Sequence, residues 1–231
     1  MLKESNPFEN YDKLPNINVE IEYSLKIAKI WQEGSPTLSE VVSRGCAIEK
    51  MIPKNAILFL SMNPSFKEGV SVGGFADIYK SEHPFHVKIQ DFYKSIKSPK
   101  PPMAHHDLLF IMETNQKNVL TWLKQDKVFF DKQLKISREI IEKAEPKMIV
   151  VINAGASKLF HDHFKDTWSS FDNDLGVDMF ELNNKKTPVL FSGMLSGKRA
   201  LDVGSRDSLK WHIEHVLRQL PNHTNTLRPM L

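Results

Sequence analysis

The sequence predicts an α/β domain, a three-layer α/β/α sandwich around a central four-stranded parallel sheet. Three observations predict it. Four short apolar runs (Ile57-Leu58-Phe59-Leu60, Leu108-Leu109-Phe110-Ile111, Met148-Ile149-Val150-Val151-Ile152 and Val189-Leu190-Phe191) are continuous rather than alternating. Strands covered on both faces look like this. Segments with helical apolar spacing lie between the runs, and strands that alternate with helices form parallel sheets through right-handed crossovers.

Taken in order, the N-terminal part is ambiguous. Ile17, Val19, Ile21 and Tyr23 alternate like a strand, whereas Ile21, Leu25 and Ala28 sit at helical spacing. We read a helix from about residue 20 to 33, ended by Gly34, within a helical extension covering about residues 1–50. Between the first two apolar runs lies a long irregular stretch, residues 63–106, with a glycine-rich loop at 68–74 and a proline-rich breaker at 98–102. Loops of such length in a compact domain are usually functional or disordered. This one leaves the carboxyl end of a strand, where open α/β sheets bind ligands.

Farther on, Phe130, Leu134, Ser137 and Ile141 share a helical face, and Pro146 stops that helix before the third run. Residues 154–164 read as a helix opening directly after it. Leu209, Ile213, Val216, Leu217 and Leu220 stripe the last helix, with Ser205 as N-cap, Asp207 in the first turn and Pro221 as its end. The expected organisation is one domain over residues 1–221 and a loose tail at 222–231.

Bulk properties narrow the function. Of 231 residues, 41% are apolar and 26% charged, as in soluble globular chains. No apolar run approaches the roughly 18 residues of a membrane helix. The first residues have no apolar signal core. Cys46 is the one cysteine, so disulfides and cysteine-based zinc sites are excluded, and a cytoplasmic monomer is expected. The net charge of +3 is mild, but residues 185–218 hold seven Lys/Arg against three Asp/Glu. A local excess of this kind can face phosphate. No P-loop, G-x-G-x-x-G or G-x-S-x-G occurs, so no nucleotide cofactor or serine elbow is expected. The pairs His105-His106, His161/His163 and His212/His215 raise the question of a metal. Their spacing does not assemble a ligand set, and no metal site is expected.

The strongest local signal is Ser61-Met62-Asn63-Pro64-Ser65, where the first buried run ends in an Asn-Pro turn. Taken alone it reads equally well as a simple Asx turn. The order of the strand-end segments resembles that of the uracil-DNA glycosylase superfamily, over roughly residues 55–218. The family's first motif, Gly-x-Asn-Pro-Gly in one version, is similar to this segment with serines in place of both glycines. The resemblance implies that Asn63 positions the water attacking the sugar carbon, with Ser65 beside it in the base pocket. It implies that Phe75, with Phe66 as rival, stacks on the flipped base. It places Asp107 where the family has an Asn that reads the base edge. A carboxylate only accepts where an amide also donates, so the preferred base need not be uracil.

The family's second motif follows the fourth run. Aligning the strands puts Met194 where the family has His and Ser196 on its Ser, and a shifted alignment puts Phe191 there instead; neither gives His. Ser196, Lys198 and Arg199 then suit a phosphate-gripping loop. Asn153 is a candidate pocket residue whose simpler role is a helix N-cap. The resemblance implies a DNA-base glycosylase-like enzyme of DNA repair acting on single- or double-stranded DNA without a cofactor. The alternatives are a non-catalytic nucleic-acid-binding relative, and a hydrolase or metabolite-binding protein sharing only the fold.

Overall fold

The computed structural model describes residues 13–68, 73–97, 100–197 and 200–223. A short strand β1 (Asn16–Asn18) leads into helix α1 (Val19–Glu33). The Asn18 side chain accepts from the Ile21 amide at the helix start, and Gly34 closes it at φ 65°. Helix α2 (Ser39–Ser43) and strands β2 (Ala47–Glu49) and β3 (Met51–Pro53) follow. The N-terminal part is therefore not an all-helical extension. β1 pairs antiparallel with β3, and Ile17, Tyr23, Ile27 and Ile30 are buried in the same core as Leu58. Of the alternating residues only Ile17 lies in a strand; Val19, Ile21 and Tyr23 belong to the helix, which starts where Asn18 caps it, close to the expected residue 20.

The central sheet begins with β4 (Ile57–Ser61), buried at all five positions. Strand β5 (Gly74–Ala76) and helix α3 (Pro84–Ser95) come next. They lie inside the stretch read as irregular, whose residues 69–72 and 98–99 lie outside the described residues. Strand β6 is Met103–Asp107, not the apolar run at 108–111. That run is buried but only continues past the strand: the amides of Leu108 and Leu109 bond to the carbonyls of Ser61 and Met62. Periodicity alone cannot tell a buried run from a buried strand. The consequence is large, because Asp107 stands at the carboxyl end of its strand.

Helices α4 (Gln116–Gln125) and α5 (Lys127–Ala144) lead to β7 (Met148–Ile152), and α6 spans Ala154–Phe164. Strands β8 (Trp168–Asp172), β9 (Val177–Leu182) and β10 (Lys185–Ser192) form an antiparallel meander. Its β9–β10 turn uses Asn183 and Asn184, both at positive φ (51° and 60°), as a tight hairpin requires. A register irregularity between Trp168 and Ser170 marks a bulge in β8. Helix α7 (Val203–His223) closes the described chain. Its N-cap is Asp202, whose carboxylate accepts from the Ser205 amide and hydroxyl, so Ser205 lies within the first turn. It passes through Pro221 to His223. Proline removes only its own amide donor, and near a helix end that is tolerated. Residues 224–231 of the expected tail lie outside the described residues.

The sheet has six strands, ordered β6-β4-β7-β10-β9-β8. The pairs β6–β4, β4–β7 and β7–β10 are parallel, and the last two strands run antiparallel. The expected four-stranded sheet is thus extended by a hairpin that the apolar runs did not announce. Alternate side chains of the parallel strands feed two separate cores. Leu58, Leu60, Ile149 and Val151 pack with residues of α1, α5 and α6, whereas Ile57, Phe59, Met148 and Val150 pack with residues of α3 and α7.

From β4 the chain crosses outward to β6, returns to β7, and then moves to β10 on the other side. The reversal falls between β4 and β7. In open parallel sheets the crevice beyond such a switch point is where ligands bind. Asn153 stands there with φ 97° and ψ 152°, its side chain accepting from the Ala156 amide at 2.7 Å. Non-glycine residues held in this region carry roughly 1–3 kcal/mol of strain. We expect Asn153→Ala to lower stability by about 1–2 kcal/mol through loss of the cap. Asn153→Gly should lose less, because glycine relieves the strain. Denaturant melts check this, and equal losses would contradict a strained backbone here.

Candidate active site

Asn63 leaves the end of β4, two residues past Ser61. Its Nδ2 donates to the carbonyls of Pro64 (2.8 Å) and Glu113 (2.7 Å). The Ile111 carbonyl is also near, so three acceptors fix which end of the amide is which. The Oδ1 is buried and has no hydrogen-bond partner. The surrounding loop is strapped from outside. The Thr114 hydroxyl donates to the Phe66 carbonyl and accepts from the Phe66 amide. Arg44 binds the Glu113 carboxylate at 3.1 Å and stacks over Phe66 with its guanidinium 4.8 Å from the ring centre. Ser65 is exposed, and its hydroxyl lies 3.4 Å from Nε2 of His83.

Asp107 pairs in register with Ser61 across β4–β6. It is 6% exposed and accepts a very short hydrogen bond from the Ser61 hydroxyl. The same hydroxyl sits 2.9 Å from Nε2 of His105. On the other side of that ring, Nδ1 lies 2.8 Å from Oε1 of Glu49, although the ring N–H points off the line to the oxygen. The second oxygen of Glu49 meets Nδ1 of His106 at 3.0 Å. His106 Nε2 then meets the Ser137 hydroxyl at 2.7 Å, and that hydroxyl also reaches the Asp107 carbonyl at 3.2 Å. Successive residues of β6 point to opposite faces, yet Glu49 reaches both histidines because β2 lies against the open edge of that strand.

Burial dictates the charges. It pushes the Asp107 carboxyl up to about 6, against the pull of His105 and the Ser61 hydrogen bond. Burial opposes charging of His105 too, but the Asp107 charge and the neighbouring Glu49 outweigh it and raise its pKa. Glu49, despite burial, is held well below the usual carboxylate range by His105 and His106. His86, on α3, has its ring centre 5.5 Å from that of His105. Burial first, and then the His105 charge, depress it to about 3, so it is neutral at ordinary pH.

Glu49, His105 and Asp107 have the donor types of a metal site. Their arrangement is that of proton sharing. The two carboxylates approach opposite nitrogens of one ring, and Ser61 fills the gap on the Asp107 side. One ion at bonding distance of about 2 Å from all three would require the ring to turn and Ser61 to leave.

The structure thus brings Ser61, Asn63, Ser65 and Asp107 to the carboxyl ends of β4 and β6. Asp107 is turned inward onto Ser61 rather than standing open. Phe75 is in β5, paired with Ile48 of β2 and half-buried against the core. It is a packing residue of the sheet edge, not a free platform. Met194 and Ser196 follow β10, which lies two strands from β4 with β7 between, or about 10 Å across the sheet. Met194 is half-buried and its carbonyl accepts from the Leu201 amide at 2.8 Å. Ser196 precedes Gly197, which turns the loop at φ 83°. Lys198 and Arg199 lie outside the described residues. Close packing bridges the interval: a Cβ on Gly155 would meet the Met62 sulfur at 2.5 Å, and one on Gly193 would meet Leu201 Cδ2 at 2.7 Å. Two surface hollows lie elsewhere, one along α7 beside Trp211 and His212, the other near Arg138, Asp166 and Asn183 at the opposite edge of the sheet.

No known family model matches the chain, and no curated protein matches it either. Sequence reasoning missed Glu49, the partner of both histidines. The His105-His106-Asp107 run was the visible signal, but a carboxylate 56 positions from His105 leaves no local trace.

A pH prediction follows from Asp107. Its carboxyl titrates near 6 when folded, against 3.8 as the ordinary value. Between those values the folded state holds a proton that the unfolded chain releases. The stability it contributes is therefore complete below about pH 4 and lost above about pH 6, a change on the order of 2–3 kcal/mol. Asp107→Asn cannot titrate. We expect the difference in stability between parent and variant to move by that amount from pH 4 to pH 7, measured by denaturant unfolding. A constant difference would contradict the assignment.

Proposed function

We propose that this protein is a DNA-base glycosylase-like enzyme that hydrolyses the N-glycosidic bond of a flipped damaged or deaminated base, in a three-layer α/β/α domain of the uracil-DNA glycosylase type. The single observation that carries the reading is Asn63. It follows the first parallel strand at the switch point of the sheet, where ligands gather. Its amide is clamped through Nδ2 to two backbone carbonyls, so Oδ1 is an oriented acceptor without a partner. Oδ1 is closed off from solvent in the unliganded chain, so the reading requires the loop after β4 to part on substrate binding; the exposed acceptor would then hold a water for attack on a sugar carbon. Hydrogen-bond energy is then available without reorganisation at the moment of reaction.

Asp107 would read the base edge. Ionised, it accepts from a ring N–H or an exocyclic amine; protonated, it donates to a carbonyl. Ser65 and the half-buried Phe66 border the loop where a base would enter, and Phe66 suits stacking better than Phe75. Ser196 and the following Lys198 and Arg199 would hold phosphate.

One observation favours a second reading, a non-catalytic nucleic-acid-binding relative. The resemblance aligns Met194, or in a shifted register Phe191, with the family's charge-stabilising His, and neither a thioether nor a phenyl ring donates a hydrogen bond or carries charge.

The test is base release from single-stranded and duplex oligonucleotides carrying a panel of deaminated and alkylated bases. The parent should release at least one base, and Asn63→Ala should slow that release by roughly 10²–10³-fold, as for loss of one oriented polar group. Salt-dependent binding with no release selects the second reading. Neither release nor binding rejects both. At pH 7.5 Asp107→Asn should shift preference by roughly tenfold or more toward bases that offer a carbonyl, because the amide adds a donor where the carboxylate had none. An unaltered ranking of bases would remove Asp107 from the reading edge.

A further inference from the structure

We propose that Glu49 is a positioning residue for this site: by holding His105 as an imidazolium between two carboxyl groups, it keeps Asp107 ionised and able to accept a hydrogen bond from a bound base. The inference rests on the base-handling reading for what Asp107 accepts from, but the protonation it asserts is a property of the folded chain alone.

The geometry runs in one direction. Glu49 comes from β2, which belongs to a separate two-stranded sheet with β5. It is 3% exposed and both its oxygens face histidines. A carboxylate so deeply buried is costly unless opposed by positive charge. His105, itself 1% exposed, supplies that charge. Its Nδ1 side lies against Glu49, and its Nε2 lies 2.9 Å from the Ser61 oxygen, where a protonated Nε2 would donate. Ser61 has one hydroxyl proton, and its oxygen also contacts Asp107 Oδ1. Two proton arrangements fit the Ser61 contacts: a doubly protonated His105 with an ionised Asp107, or a neutral His105 accepting from Ser61 with a protonated Asp107. The buried carboxylate of Glu49 beside the Nδ1 edge favours the first, because it needs an opposing positive charge.

Every titratable group facing His105 fits this arrangement. Glu49 approaches from β2, and Asp107 and His106 stand on the same strand. From α3 comes His86, kept neutral and held by the Ser81 hydroxyl at 2.8 Å, with His83 behind it. Glu49 therefore acts on Asp107 through His105, which stands between them. His105 lowers the Asp107 pKa more than Glu49 raises it. Removing the Glu49 charge lets the buried His105 lose its proton, and the balance at Asp107 then moves upward.

The experiment uses full-length protein labelled with ¹⁵N in histidine and ¹³C in the aspartate carboxyl. In the parent at pH 7.5, both ring nitrogens of His105 should carry protons. In Glu49→Gln, one should not, and the Asp107 carboxyl titration should move up by a pH unit or more. The acid limb of base release should follow it, with activity recovered as pH is raised. A merely structural loss would not recover in that way. If Glu49→Gln does not fold, His105→Gln should give the same upward movement of Asp107. A neutral His105 in the parent, an unmoved Asp107 titration in a folded variant, or a stoichiometric divalent ion on these donors would overturn the proposal. If the parent releases no base, the glycosylase reading fails, while the two titrations still decide the role of Glu49.

Discussion

The structure turns on a carboxylate buried at the edge of the sheet. Strand β6 is the outermost of the parallel strands, and its sequence, Met103 to Asp107, carries two histidines and an aspartate into positions that are almost fully enclosed. Polar groups in such a place must find partners or the strand will not stay. Glu49 provides them for both faces at once. Because each of its oxygens is engaged by a different ring, β6 cannot slide past β2 by one residue without separating a pair. The register that results sets Ser61 opposite Asp107. The Ser61–Asp107 hydrogen bond depends on that alignment.

The two principal polar side chains of the site are treated in opposite ways. Asn63 is restrained from outside, through carbonyls of its own loop and of the loop after β6, with Arg44 and Thr114 bracing that second loop. Asp107 is restrained from inside, through a chain of side chains that ends at Glu49. Both sit next to strand ends. Sites made in this manner hold their geometry before any ligand arrives.

Much of the fold was legible in the residues. The runs at β4, β7 and β10 announced themselves because buried parallel strands are apolar throughout, and α6 began and ended where its residues indicated. β6 did not, since its burial is satisfied by hydrogen bonding rather than by apolar side chains, while the apolar stretch beside it is buried turn. The β8–β9 ribbon was missed because it lies at a half-exposed edge; its own turn falls at residues 173–176, where Gly176 takes φ 66°. Asn63 and Asp107 were singled out through the strand-end resemblance, and the structure places both at the carboxyl ends of neighbouring strands. Glu49 was not, because its role arises only when β2 folds against β6. Phe75 was read as a stacking platform, but an aromatic in a short strand beside Ile48 finds its place in packing first.

The opposite margin of the sheet shows how the chain limits unwanted contacts. Strand β8 leaves Trp168 and Phe171 half exposed, and a straight strand bearing such rings would invite a neighbouring chain to add to it. The bulge between Trp168 and Ser170 breaks the even spacing of free amides and carbonyls there, and Trp168 Nε1 is tied back to Asp178 at 3.0 Å. A kinked margin is a poor template for edge-to-edge growth. The bulge and the Trp168–Asp178 tie thus set the course of the outermost strand and hold its exposed indole against its own neighbour in the sheet.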